Sequence, residues 1–237
     1  MPIGVICDAG AVIIGGLLGA AFGGKLSAEL RDKLNRIFGL CSMGIGISTI
    51  VLMKNLPAVV LSLIIGTILG AALHLTEKIR QGGMAMQRGI RRLLPGSTSG
   101  KTADDGLMIT AIVLFCASGT GIYGSIVSGM SGDHSILLAK AILDLFTAAI
   151  FACSLGSVTA CIGIPQAVIF LILYYSARLL FPLTTPDMIA DFKACGGLIM
   201  LATGFRMTGL VDFPIADMIP AMILIWPASW LWSCIPF

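Results

Sequence analysis

Two ionisable residues stand where an apolar helix is expected. The stretch GMSGDHSILLAKAILDLFTAAIFACSLG, residues 129–156, reads as the end of a polar turn followed by a long apolar helix. Lys140 and Asp144 lie inside that helix, four residues apart. This spacing brings both side chains to one helical face. The chemistry open to such a pair is ionic: mutual neutralisation, or a charged face along which an ion or polar solute moves. A charge at the centre of a bilayer costs about 2.5–3.5 kcal/mol on insertion scales, and an ionisable residue within a membrane helix is a functional hypothesis by default. Two readings stay open, an ion pair that fixes helix register and a face that lines a substrate or ion path. Thr147 continues that face.

Other residues extend the second reading. Asp8 precedes AGAVIIGGLLG much as Asp144 precedes LFTAAIFACSLG, an acid followed by a small-residue helix. Two carboxylates that approach one another in a bundle can bind a cation or carry protons. Ser118-Gly119-Thr120-Gly121 places two glycines and two hydroxyls at mid-span depth. Such a run has low helix propensity. It either unwinds, offering carbonyls to an ion, or forms a tight crossing with its hydroxyls bonded back to the backbone. Arg206 and Arg178 are expected to snorkel toward headgroups. Asp217 either faces a cavity or caps its helix.

No catalytic constellation accompanies these charges. The sequence has no P-loop, no HExxH and no GxSxG with a plausible base, so neither enzymatic activity nor a cofactor is expected. His74 and His134 are far apart, and the seven cysteines form no CxxC pair. The cysteines read as small buried thiols, without disulfides or a metal site. Neither a catalytic nor a metal residue is assigned, and no nucleic-acid partner is expected.

The elements that must position these residues are membrane helices. Of 237 residues, 57% are hydrophobic and 11% charged, against about 25% charged in soluble domains. Long apolar stretches recur along the chain, which reads as one integral-membrane domain, all-α and polytopic, with about 7–8 spans. The candidates are residues 3–24, 36–53, 56–76, 106–127, 135–158, 162–181, 193–211 and 214–235. The last two, interrupted by Pro214, Pro220 and Pro227, are the weakest. Residues 1–24 lack a basic leader and are broken by Asp8, so they read as a first span rather than a secretory signal.

Basic residues set the expected orientation. Lys25, Arg31, Lys33 and Arg36 fall in the first connection, and Lys78, Arg80, Arg88, Arg91, Arg92 and Lys101 in the third. Both are expected on the cytoplasmic side, with the N-terminus outside and Trp226, Trp230 and Trp232 in an interfacial belt. Residues 26–36 read as a short surface helix capped by Ser27. Residues 77–104 form a basic cytoplasmic loop whose first half either solvates as a linker or lies as an amphipathic helix on anionic headgroups.

Small residues carry two further signals. Gly15, Gly19 and Gly23, and likewise Gly66 and Gly70, are spaced by four, which permits close backbone approach. CSMGIGI at 41–47 echoes CASGTGI at 116–122, with LATGF at 201–205 as a fainter copy. If these mark repeated helix hairpins, the third is inverted, an arrangement common in transporters.

LFCASGTGIYGSI (114–126), residues 129–156, FPLTTPDMIADFKACGGLIMLATGFRM (181–207) and GLCSMGIGI (39–47) resemble the bacterial YqgA/YdfK-type family of inner-membrane proteins, known as domain of unknown function 554. The resemblance runs essentially end to end. It implies a bacterial polytopic inner-membrane protein with a transport role, and carries no site residues with it. The expected function is a secondary transporter or channel for a small ion or solute, its path lined by Lys140, Asp144, Asp8 and Ser118–Gly121. Asp144 would bind the coupling cation. Thr147, Arg206 and Asp217 are secondary candidates, and the lipid bilayer and the solute are the expected partners. The alternative is a membrane scaffold or regulator acting through residues 77–104. Glycine-rich faces make a homo-oligomer a further expectation.

Overall fold

A computed structural model describes residues 1–22, 27–93 and 105–234. Lys25, Gly23 and Lys101 lie outside the described residues, as does the side chain of Arg178. Twelve α-helices are described: α1 (Ile3–Phe22), α2 (Ala28–Ile50), α3 (Leu56–Ala72), α4 (Leu75–Leu93), α5 (Asp105–Cys116), α6 (Gly119–Ser131), α7 (Ser135–Leu155), α8 (Val158–Cys161), α9 (Gly163–Leu180), α10 (Pro186–Thr208), α11 (Ile215–Met218) and α12 (Ala221–Ser233). No strand occurs among the described residues.

Six segments are long and apolar enough to cross a membrane: Ile3–Ala21, Leu107–Ser131, Ser135–Leu155, Val158–Ala177, Pro186–Thr208 and Ile215–Ser233. A seventh is available if the bent pair α3–α4 counts as one span. The expected span at 36–53 is not among them. Its apolar residues are instead the second half of α2, continuous with the charged turns that were expected as a separate surface helix. Ser27 does cap that helix, accepting from Leu30 N at 3.2 Å. The two final spans, expected to be the weakest, are both present. The exterior is apolar while a few charges lie inside the apolar core: Ile6, Leu17, Ile64 and Ile68 are exposed, and Asp8, Lys140, Asp144 and Asp191 are buried. Such a surface suits hydrocarbon, and the chain is a multi-pass, all-α membrane protein. The cysteines divide unevenly. Cys116 and Cys195 are buried as expected, but Cys7, Cys41 and Cys234 are exposed, and all seven are free.

The helices group into two compact units. The first comprises residues 1–34 and 78–178, and the second residues 35–77 and 179–237. In the first, α1 and α7 run parallel: Gly4 meets Leu137, Gly15 meets Leu145 and Gly19 meets Ala149. A Cβ at Gly15 or Gly19 would overlap the carbonyl oxygens of Leu145 or Ala149, so these glycines seat one backbone directly on another. Gly16 packs on Ala160 in the same way. The α5–α6 span joins α7 through a left-handed Gly132, φ 71°. On its outside α4 lays Gly83, Gln87 and Ile90 inward, Gly83 against Ile109 and Val113 of α5. Residues 77–93 are therefore helical rather than a loop, with Lys78, Arg88 and Arg92 exposed.

In the second unit α2 crosses α10 through glycines. Gly39 opposes Gly204, Gly46 opposes Gly197, and the Ser42 hydroxyl donates to the Met200 carbonyl at 3.0 Å. Gly66 and Gly70 of α3 seat on Ala221 and Asp217. Thr185 caps α10, accepting from Met188 N at 3.3 Å ahead of Pro186. The chain turns from α3 into α4 at His74, φ 50°, with a bend of 59°.

The two stronger sequence echoes do not share local structure. Residues 41–47 lie within continuous α2, whereas 116–122 straddle the break between α5 and α6.

Candidate functional site

The charged face of α7 is answered by two neighbours. The glycine contacts hold α1 so close to α7 that the short Asp8 side chain reaches Lys140. The Lys140 ammonium contacts Asp144 Oδ2 and lies 3.2 Å from Asp8 Oδ2. From the antiparallel α9, Gln166 Nε2 donates to Asp8 Oδ2 at 2.8 Å and to Asp144 Oδ2 at 3.3 Å. Phe170, one turn further along α9, places its ring centroid 5.5 Å from the ammonium, within cation–π range. Asp8 and Gln166 are 0% exposed, Lys140 3% and Asp144 8%.

Two carboxylates share one ammonium, so the fully ionised cluster carries a net charge of −1. Burial of an uncompensated charge is strongly unfavourable, and a single added positive charge would balance it. The hydrogen bonding is incomplete in a matching way. Among the described residues, Asp8 Oδ1 and Gln166 Oε1 are buried with no partner. Native interiors satisfy nearly all such atoms, so each exception asks for an explanation.

The Ser118–Gly121 segment reaches the same place. The span from Leu107 to Ser131 is one transmembrane segment, broken where α5 ends at Cys116 and α6 begins at Gly119. The Ser118 hydroxyl caps α6, accepting from Gly121 N at 3.1 Å. A Cβ at Gly121 would collide with the Phe170 ring, the ring that faces Lys140. Cys116, which ends α5, is buried. The run therefore does interrupt its helix, next to the cluster. Thr120 is buried. Thr147 is buried too, but its hydroxyl donates to the Leu143 carbonyl of its own helix at 2.8 Å.

The remaining candidates lie elsewhere. Arg206 is exposed at the end of α10 and pairs with exposed Asp212 at 3.0 Å. Asp217 accepts from Thr76 N at 3.1 Å and from the Thr76 hydroxyl at 2.9 Å, tying down the start of α4. Both belong to the second unit and neither joins the cluster.

Sequence reasoning missed two buried groups. Gln166 is the one amide in the apolar run GIPQAVIFLIL, and a polar residue inside an apolar span was the available signal. Asp191, 0% exposed, receives four hydrogen bonds in the second unit. They come from Lys54 N and Asn55 N on one oxygen, both at 2.8 Å, and from Asn55 Nδ2 at 2.8 Å and the Ser229 hydroxyl at 2.6 Å on the other. The span expected to begin at residue 193 in fact starts at Pro186, which moves Asp191 from a helix edge to its interior.

A family model described as protein of unknown function (DUF554) matches residues 3–230. Over 236 residues the chain is 44% identical to the uncharacterized protein YqgA of Escherichia coli (strain K12), covering 98% of each. It is 25% identical over 232 residues to the uncharacterized membrane protein YdfK of Bacillus subtilis (strain 168), covering 93% of each. No solved structure matches the chain.

Proposed function

The chain belongs to the DUF554 family, and on that premise we propose that it is a secondary transporter or channel moving a small ion or solute across the bacterial inner membrane through its first unit. The observation that carries the reading is the buried cluster of Asp8, Lys140, Asp144 and Gln166, short of one positive charge and with two acceptors unfilled. A purely structural ion pair would be balanced and saturated. The broken α5–α6 span beside it supplies a second feature of transport sites, a helix N-terminus opening at mid-depth.

The geometry of the first unit supports the expected orientation. Since α1 and α7 run parallel and α6 returns antiparallel to α7, the end of α1 and the start of α5 fall on one side. The basic residues after α1 and before α5 then share that side, which the positive-inside bias makes cytoplasmic.

The test is flux in proteoliposomes holding wild type or Asp144→Asn, under K⁺, Na⁺, H⁺ and Cl⁻ gradients. Ion-dependent flux in wild type, reduced in the variant to the level of empty liposomes, supports the reading. Wild-type flux in a folded Asp144→Asn protein sinks it.

A second reading has one observation in its favour. Helix α4 buries Gly83, Gln87 and Ile90 and exposes Lys78, Arg88 and Arg92, a basic amphipathic helix suited to anionic headgroups. A regulator or scaffold working through this helix would lose activity on α4 charge reversal and keep it when the cluster is neutralised.

A further inference from the structure

The proposed function leaves open what supplies the missing charge and which carboxylate receives it. We infer that the cluster takes a single proton, and that the proton sits on Asp8 Oδ1, hydrogen-bonded to Gln166 Oε1. This inference rests on the transport reading and deepens it.

The two orphan acceptors belong to groups already joined by one bond, Gln166 Nε2 to Asp8 Oδ2 at 2.8 Å. A carboxylic acid and a primary amide pair through two bonds: the amide N–H donates to one carboxyl oxygen, and the acid O–H donates to the amide oxygen. The first of these is present. Adding one proton to Oδ1 creates the second donor, so one hydrogen satisfies both unpartnered atoms. The same proton brings the net charge of the cluster from −1 to zero. No covalent bond other than that O–H forms, and none breaks.

Asp144 is the poorer acceptor. Its Oδ2 holds the closer contact with the Lys140 ammonium, with Asp8 at 3.2 Å, and its side chain is the more exposed of the two carboxylates. In this respect the expectation that Asp144 takes the coupling ion is replaced by Asp8. A metal cation fits less well. It would bring two neighbouring oxygen ligands against an ammonium that repels it, whereas Na⁺ or Ca²⁺ sites gather about six.

The groups around Asp8 leave it the one plausible acceptor in the acid and neutral range. Helix α7 presents Lys140 and Asp144, and α9 presents the neutral Gln166. Ionisable side chains on the other helices that pack on α1 are the Cys161 thiol of α8 and the Tyr123 phenol of α6, both neutral there.

The experiment is pH-difference infrared spectroscopy of the full-length protein in liposomes, reading the C=O stretch of a protonated carboxyl group. Wild type should gain one such band on acidification that stops above the ordinary carboxylate range, about pH 4, unchanged when Na⁺ replaces K⁺. Asp8→Asn should abolish the band and Asp144→Asn should retain it. Gln166→Leu should move it to higher frequency by removing the hydrogen bond, which keeps the test decisive if Asp8→Asn fails to fold. Absence of the band in wild type, its loss in Asp144→Asn alone, an unmoved band in Gln166→Leu, or its bleaching by Na⁺ or K⁺ at constant pH would each overturn the inference. The readout needs no flux. A protein that transports without protonating Asp8 would therefore defeat this inference and leave the transport reading standing.

Discussion

Among the described residues each unit buries acidic side chains, two in the first and one in the second, and the two sites are built in opposite ways. Asp191 in the second unit is held by neutral donors, two of them backbone N–H groups at the turn between α2 and α3. Both of its oxygens are filled, no cation is involved among the described residues, and the two backbone donors move only if the chain moves. The Asp8–Lys140–Asp144–Gln166 cluster is held by side chains alone, carries unequal charge, and leaves two acceptors empty. A carboxylate saturated by neutral donors is a staple. One held by side chains alone, one positive charge short of balance, can change state without unfolding anything.

That contrast is broken most forcefully at Asp191. Asp191→Ala would strand four donors, and each that stays buried and unsatisfied costs about 1–3 kcal/mol. A large fall in thermal stability in detergent is expected, with any protein that survives reconstitution still conducting flux. A stable but inactive Asp191→Ala would mean the staple is itself part of the path. Next in size is Gly15→Leu, which forces a side chain into the Leu145 carbonyl. Overpacking of this kind costs about 1–3 kcal/mol, and here it also separates Asp8 from Lys140. Both the melting temperature and flux should drop, and a normal melting temperature would show that the helix crossing is looser than the glycine contacts require.

Neutralising the cluster sharpens the comparison from the other side. Because Asp8 shares the ammonium, replacing Lys140 and Asp144 alone would leave a lone buried acid. The informative variant is the triple change Asp8→Asn, Lys140→Met, Asp144→Leu. Stability should be unchanged or higher, as when buried ion pairs give way to apolar residues, while flux disappears. Retained flux would put the cluster in the same class as Asp191. The smallest effect belongs to Arg206→Ala, which removes an exposed pair with Asp212 worth about 0–1 kcal/mol. Flux and melting temperature should both be near wild type, and a marked loss of flux would extend the path into the second unit.

The sequence made the first cluster half legible. Lys140 and Asp144 announce themselves by spacing within one helix, and Asp8 by its place in an apolar run. Gln166 does not, because a neutral amide carries no obvious penalty until its partners are known, and they lie far away in the chain. Asp191 was hidden by a boundary: the Thr-Pro-Asp start at residues 185–187 is a helix N-terminus signature, but the polar residues behind it delayed the expected span to 193. The bounds at 36–53 differed for the opposite reason. Hydropathy sees where apolar residues cluster, whereas α2 is one helix whose charged half belongs to the same rod. Close packing at Gly15, Gly19, Gly66 and Gly70 was readable because spacing by four is a local pattern.

The remote partnership of Asp8 has a consequence for how the molecule is made. Its helix is synthesised before α7 and α9, and Gln166 follows 158 residues later. At a synthesis rate of 5–20 residues per second, α1 waits roughly 10–30 s with its acid uncompensated. Until α7 emerges the newborn helix is held by neither its amide nor its lysine, and a carboxylate so near the start of α1 is free to slip back toward the headgroups. The arrival of α7 and then α9 is what draws it inward. Commitment of the first helix to its final depth is thus a late event in biogenesis, and chains stalled before Lys140 would carry a first helix that the insertion and quality-control machinery still sees as unfinished.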